Sequence, residues 1–380
     1  MSTLDELIYY CGIETPTGAF MLNGEWGIGK THLIEKELTK ALAHSHVIVR
    51  VSLYGMSSVK ELHSAVKEKW VYACSPLLGR IAKDQEQVSQ NRGLINALNA
   101  ILKGLNPTAG RAADLMVSMN LLEMLTVETE IEDIREKKTK RVILVFDDLE
   151  RSKINPIEMM GAINEYCENR NFSTIIVTNE DYMIHTMKDD LLMYHMLKGK
   201  TVARSIYYVP DFEKILHSLI SERKWNSTSY KDYLIQQEKG ILKLFASDSQ
   251  VPDHTEEGPE KTHNLLALTH SLQDFYRIYS HLLKVGIENP DNWFYPFVAF
   301  YMSRKSGIFR KRIPQFDCSD EIIHQVYPMF SPDYLYDSIR NWISYGIWEK
   351  DRFANELTES LYRLCEEGSL PVARSGSDSE

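Results

Sequence analysis

The chain has few of the features that mark secreted, membrane-spanning or zinc-binding proteins. Its 380 residues include only five cysteines, Cys11, Cys74, Cys167, Cys318 and Cys365, and no two form a C-x-x-C pair. An odd, scattered set excludes a disulfide framework and a thiolate zinc site, and reads as reduced thiols. The twelve histidines show no H-E-x-x-H or other paired-ligand spacing, so no metal site of that kind is expected. G-x-S-x-G is absent as well, which leaves serine-hydrolase chemistry without its nucleophile elbow. No apolar run approaches the roughly 20 residues needed to cross a bilayer. The longest, Trp293–Ser303, contains Pro296. Residues 1–7 carry Asp5 and Glu6 and lack the basic-then-apolar design of a signal peptide. These absences lead to the expectation of a cytoplasmic protein with no membrane contact. A basic excess is missing too. The 43 Lys and Arg against 53 Asp and Glu leave a net charge of −10, which excludes a surface that is basic throughout but not a local basic patch.

Against these absences stands one strong motif, Gly24-Glu25-Trp26-Gly27-Ile28-Gly29-Lys30-Thr31. It fits G-x-x-x-x-G-K-[ST], the loop that cradles nucleotide phosphates. Its flanks have the required order. Ala19-Phe20-Met21-Leu22 suits a buried strand, and Ile34, Leu38, Ala41 and Leu42 recur at helical spacing. The glycines permit close backbone approach, and the loop amides with the helix N-terminus form an anion site. Gly24 through Thr31, with His32 behind them, are therefore the expected nucleotide-binding residues. Lys30 would reach the β- and γ-phosphates, and the Thr31 hydroxyl would ligate Mg²⁺.

A second acidic element lies downstream. Val142-Ile143-Leu144-Val145-Phe146 runs into Asp147-Asp148-Leu149-Glu150-Arg151, an apolar strand ending in acids as a Walker B element requires. The first acid, Asp147, would hold the metal's water shell, and Asp148 would act on the attacking water with Glu150 as understudy. Asn155, Pro156 and Glu158 read as N-cap, N1 proline and capping-box acid of the next helix, with Met160, Ile163 and Cys167 facing inward. Asn179 ends another strand, Ser173–Thr178, and would orient the attacking water or sense the γ-phosphate. Its bland alternative is a turn residue.

The rest of the chain fits around these elements. Leu4–Cys11 reads as a short helix and Val47–Leu53 as a strand. Residues 57–140 form an insertion of mostly helical periodicity, with Ser58 capping the helix of Leu62, Val66 and Trp70 and a break at 106–110. Helical sequence continues to Lys198 with Gly199 as its C′ residue, and Val202–Val209 is the last strand. Strands alternating with helices predict a parallel, three-layer α/β domain over residues 1–209. From Pro210 the alternation stops, and residues 210–370 read as an all-α domain followed by a polar tail, 371–380. Gln250–His263 reads as a loop. The aromatic run Trp293, Phe294, Tyr295, Phe297, Phe300 and Tyr301 reads as core. Arg304, Lys305, Arg310, Lys311 and Arg312 form a basic cluster, taken first as a solvated face, with nucleic-acid contact as the alternative.

The loop and the acidic element together resemble the KAP family of P-loop NTPases. Trp26 before the second glycine and the Asp147-Asp148-Leu149-Glu150-Arg151 run carry the resemblance, which covers residues 1–210. It implies a parallel sheet of order 5-1-4-3-2, with the Asn179 strand between the two Walker strands, and Mg²⁺-dependent ATP hydrolysis. It also implies a role in anti-phage defence. Two departures are visible. Residues 57–140 are charged where many relatives carry transmembrane helices, and Asn264-Leu265-Leu266 lacks the arginine of a nucleotide-sensing segment. Arg151 is the candidate charge stabiliser, in cis or across a subunit interface, and Arg204 a further one. The rival to a turnover enzyme is an ATP-gated switch whose helical domain holds a protein partner or a second copy.

Overall fold

The computed structural model describes residues 2–78, 126–133, 136–187, 190–246, 259–287, 289–310 and 313–366. Most of the 57–140 insertion, its break at 106–110, the greater part of the 250–263 loop, Lys311, Arg312 and the 371–380 tail lie outside them.

The first of two compact units comprises residues 1–24 and 29–209. Helix α1 (Thr3–Cys11) starts on a capping box between Ser2 and Asp5, which satisfies two orphan backbone N–H groups. It leads to strand β1 (Ala19–Asn23), buried at every residue. The helix after the glycine loop, α2, runs through Lys30–His32, a π-helical stretch Leu33–Leu38 and Thr39–Leu42. The wider π turn shifts its inner face. Leu33, Ile34, Leu38 and Leu42 are buried, whereas Ala41, expected on that face, is exposed.

Strands β2 (His46–Ser52), β4 (Lys138–Asp147), β5 (Ser173–Thr178) and β6 (Val202–Tyr207) complete a parallel sheet of order β2-β4-β5-β1-β6. Counting only parallel strands, this is the 5-1-4-3-2 order, with the Asn179 strand between the two Walker strands. A sixth strand, β3 (Glu130–Asp133), lies within the insertion and pairs antiparallel with the start of β4. That pairing explains why β4 begins at Lys138, four residues ahead of its apolar run. Helix α3 (Val59–Leu78) buries Leu62, Val66 and Trp70. Asn155 caps α4 (Pro156–Asn164) through the Ile157 N–H at 2.8 Å, with proline at N1. The π turn Glu165–Asn169 follows, and Met160, Ile163 and Cys167 face inward as their spacing indicates. Helices α5 (Glu180–Thr186) and α6 (Leu191–Thr201) link β5 to β6. Gly199 stands inside α6, which continues to Thr201 instead of ending at Lys198. Cys11, Cys167 and, in the second unit, Cys318 are buried free thiols; burial pushes the first two up to about 12 and about 11.

The second unit comprises residues 210–380 together with Glu25–Ile28 of the glycine loop. Its helices are α7 (Phe212–Glu222), α8 (Thr228–Ala246), α9 (Leu265–Lys284), α10 (Asp291–Ser306), α11 (Asp320–Val326), α12 (Asp337–Tyr345) and α13 (Lys350–Glu366). Trp293, Phe294, Phe297, Phe300 and Tyr301 of α10 are buried in one core, with Tyr295 packed against it. A small antiparallel sheet, β7 (Glu260–Lys261), β8 (Ile308–Arg310) and β9 (Ile313–Gln315), adds to the helices. These two- and three-residue strands are too short to show a period-2 pattern. Within the basic cluster, Arg304 pairs with Asp317 at 3.0 Å and lies over the Phe300 ring. Among the described residues, no helix is long and apolar enough to cross a membrane.

Candidate functional site

Parallel strands present their C-terminal ends together, and ligands of open α/β sheets bind outside those ends. Three such ends carry the residues singled out in the sequence. Asn23 of β1 is in register with Thr178 of β5, and Ser52 of β2 with Asp147 of β4. The glycine loop leaves β1 with the Gly24 N–H donating to the Thr178 carbonyl at 3.2 Å. Gly27 (φ 72°) and Gly29 (φ 100°) lie in the left-handed region, which glycine adopts without steric cost. Gly29 is the residue before α2, so the loop amides are followed at once by a helix N-terminus.

Asn23 locks this junction, a role the sequence did not suggest. Its buried Oδ1 accepts from the Gly24 N–H at 2.7 Å and the Glu180 N–H at 2.8 Å. Glu180 is itself buried and held by Lys198 Nζ at 2.5 and 2.7 Å and by the Tyr194 hydroxyl at 2.9 Å. The tips of β1 and β5 are therefore fixed to each other by side chains as well as by the sheet.

Lys30 is buried, and its Nζ donates to the Gly24 carbonyl at 2.6 Å, arching back across the loop. The Thr31 hydroxyl donates to Asp147 Oδ2 at 2.9 Å, joining residues 116 positions apart. Asp147 is almost fully buried. Its Oδ2 also accepts from Arg50 Nε at 2.8 Å, with Nη2 in ion-pair contact at 2.8 Å, and its Oδ1 accepts from the Asp148 N–H at 2.9 Å. Arg50 is the polar residue that the sequence reading passed over. A charge inside the β-branched run 47–53 was the available signal.

The adjacent acids part company. Asp148 has left-handed backbone (φ 62°, ψ 40°), a conformation that aspartate tolerates better than most residues. Its carboxylate accepts from the Ser52 hydroxyl at 3.0 Å, toward β2. Burial, with the Asp147 and Glu150 charges beside it, raises the Asp148 carboxyl above its ordinary range. Glu150, in the 3₁₀ turn Leu149–Arg151, points the other way: its Oε2 accepts from the Thr178 hydroxyl at 3.1 Å. Arg151 has its Nε 3.9 Å from Asp148 Oδ1 and its guanidinium over the Tyr54 ring. Asn179 is buried, and its Oδ1 accepts from the Tyr182 N–H at 3.2 Å as the N-cap of α5. Arg204 lies in register with Phe20, near the start of the strands, paired with Glu6 and over the Tyr9 ring.

The remaining loop residues group with the second unit. Glu25 accepts from the His263 N–H at 2.9 Å, the Gly27 carbonyl accepts from the Leu265 N–H at 2.9 Å, and Ile28 is buried. Asn264 caps α9 through the Ala267 N–H. A Cβ on Gly27 would fall 2.2 Å from Asn264 Oδ1, so this glycine is required by space as well as by φ. Trp26 is half-buried, and His32 is exposed on the first turn of α2.

The donor set fits magnesium. Thr31 gives its proton to Asp147 and keeps oxygen lone pairs for a hard cation. No group of three or more His, Cys, Asp or Glu able to hold a metal occurs among the described residues. Magnesium takes few protein ligands and completes its shell with water and phosphate oxygens. Thr31 and Asp147 are the residues that would hold it.

Residues 2–272 match the family model described as the KAP family P-loop domain. A comparison with curated proteins finds no match. Among solved structures, the chain is similar to Cdc6p from Pyrobaculum aerophilum, at 14% identity and a TM-score of 0.38, over 98% of this chain and 87% of that one. It is also similar to the Hef helicase domain of Pyrococcus furiosus, at 12% identity and a TM-score of 0.24, over 96% and 69%. The match to the family model spans well over half of the sequence: the chain belongs to the KAP family of P-loop NTPases and is a nucleotide-binding protein.

Proposed function

We propose that this NTPase binds ATP together with Mg²⁺ and hydrolyses it. The observation that carries the reading is the Thr31–Asp147 hydrogen bond, which unites the phosphate loop with the acid-tipped strand. Lys30 would exchange the Gly24 carbonyl for phosphate oxygens, turning a neutral acceptor into a charged one. Bound Mg²⁺ would supply charge neutralisation for the β- and γ-phosphate oxygens. Glu150 is the better placed acid to hold and deprotonate the attacking water. It is fastened to Thr178, whose backbone receives the Gly24 N–H, whereas Asp148 is turned toward β2, across β4 from the loop. Asn179 has committed its oxygen to the helix cap, so the amide N–H₂ is what it offers, a donor suited to the γ-phosphate. We read Arg151 as the partner of Asp148 within this chain.

Equilibrium binding of ATP to the wild type and to Lys30→Ala tests the assignment. Charge-assisted hydrogen bonds contribute about 1.5–3 kcal/mol each, so affinity should fall roughly ten- to a hundredfold. A folded Lys30→Ala variant that binds ATP as the wild type does would remove the phosphate-loop reading.

A further inference from the structure

Strand β2 alternates between a buried face, Val47, Val49 and Val51, and a half-buried one, Ile48, Arg50 and Ser52. Strand periodicity puts Arg50 and Ser52 on the same face, so the guanidinium belongs to the side of the sheet that carries Asp147. Two of its nitrogens, Nε and Nη2, converge on a single oxygen, Asp147 Oδ2, at 2.8 Å each. Its third, Nη1, donates to Glu35 Oε1 on α2 at 2.9 Å. Together with the Thr31 hydroxyl, the Nε–H fills the two lone pairs of Oδ2 while Nη2 lies against it as an ion-pair contact, and the Asp148 N–H occupies one of those of Oδ1. A carboxylate oxygen filled in this way has no lone pair left to turn toward a cation or its water shell. Arginine does not lose its proton in a protein, so the positive charge beside Asp147 is permanent. Exposed Glu35 gives the guanidinium a second carboxylate, on the helix that opens with Lys30 and Thr31.

We propose that Arg50 gates the metal. With no nucleotide present its guanidinium neutralises Asp147 and excludes divalent cations. When nucleotide phosphates bring their own negative charge, the guanidinium shifts its weight to Glu35 and frees Asp147 for the metal's water shell. Arg50 is thus a positioning residue that makes metal entry depend on nucleotide. The inference rests on the nucleotide reading above.

The test is binding of Mn²⁺, an oxygen-site probe, to the nucleotide-free full chain by electron paramagnetic resonance, with Mg²⁺ as competitor. Removing a unit charge next to the site should tighten Mn²⁺ binding about fivefold in Arg50→Gln. Glu35→Gln leaves the guanidinium no carboxylate but Asp147 and should weaken it about twofold or more. Arg50→Gln that binds Mn²⁺ no better than the wild type, or worse, shows that the arginine merely supports the carboxylate and overturns the proposal. Glu35→Gln with unchanged Mn²⁺ affinity overturns it too, and does so even if Arg50→Gln fails to fold. ATP binding measured in EDTA separates the two readings: Lys30→Ala binding ATP as the wild type does sinks the nucleotide reading, whereas a wild type that binds ATP only with metal present overturns the Arg50 gate alone.

Discussion

The choice between Glu150 and Asp148 is the sharpest mechanistic consequence of the strand order. In the sequence Asp148, directly after the metal acid, is the first candidate and Glu150 its understudy. In the fold they diverge across β4. Sheet order β2-β4-β5-β1 places β5 between the acid strand and the phosphate loop, and only Glu150 is bonded to β5, through Thr178 at 3.1 Å. Glu150→Gln keeps the shape and an acceptor oxygen for Thr178 while removing the proton acceptor. ATP should still bind, and hydrolysis should slow by about 10²–10⁴. Asp148→Asn keeps an oxygen for the Ser52 hydroxyl and suits the left-handed backbone at least as well as aspartate. The hydrogen bond from Ser52 and the partly exposed ion pair with Arg151 are weakened, a change of about 1 kcal/mol that should alter turnover by roughly fivefold or less. Phosphate release in the steady state, run beside a measurement of ATP retained on the protein, reads both effects. Glu150→Gln should accumulate bound ATP and Asp148→Asn should not. The reverse pattern, trapped ATP in Asp148→Asn and wild-type turnover in Glu150→Gln, would refute the geometric argument.

Two further predictions concern the scaffold around the site. Lys140 is buried, paired with Asp133 at 2.9 Å and donating to the Ala43 carbonyl at 2.8 Å. Lys140→Met should cost about 3 kcal/mol, the lower end for breaking a buried pair because half-exposed Glu136 shares it; denaturant titration at pH 7 checks this, and Lys140→Met with Asp133→Asn should recover part of the loss. His63 is held below the usual histidine range by burial, its Nδ1 2.7 Å from the Tyr166 hydroxyl, although the Glu165 charge opposes the shift. A histidine with a lowered folded-state pKa binds fewer protons folded than unfolded, so its penalty grows as pH falls through the ordinary histidine pKa of about 6.5. The melting temperature of His63→Gln relative to wild type should therefore rise between pH 7.5 and pH 5, and a difference independent of pH would contradict the assignment.

What the sequence made legible, and what it hid, follows from the range of the interactions involved. The phosphate loop, its flanking strand and helix, and the acid-tipped strand were readable because their signals are local: glycines where φ is positive, lysine and threonine at a fixed offset, an apolar run ending in acids. Sheet order came from the family resemblance and not from any period in the chain. The inner face of α2 was misplaced at Ala41 because the π stretch Leu33–Leu38 breaks the 3.6-residue period, and nothing local announces a π turn. The spacing ends α6 at Lys198 because glycine favours C′ positions, yet Gly199 is carried inside a helix whose last residue, Thr201, is buried.

The site itself divides along the same line. Residues proposed to contact the nucleotide are bound to chemistry, so residue type and spacing betray them. Residues that aim those groups are bound only to geometry. Arg50, Ser52 and Thr178 each present a polar group at a strand end or beside it, and their partners Asp147, Asp148 and Glu150 lie 97, 96 and 28 positions away. Such pairs exist only once the parallel sheet has set β2, β4 and β5 side by side. A signal was nevertheless present: an arginine within an otherwise β-branched strand costs hydrophobic burial, and a charge kept at that cost implies a partner of opposite sign across the sheet. Reading polar residues inside apolar strands as halves of unseen pairs would have identified Arg50 as belonging to the site, and left only the identity of its acid to the structure.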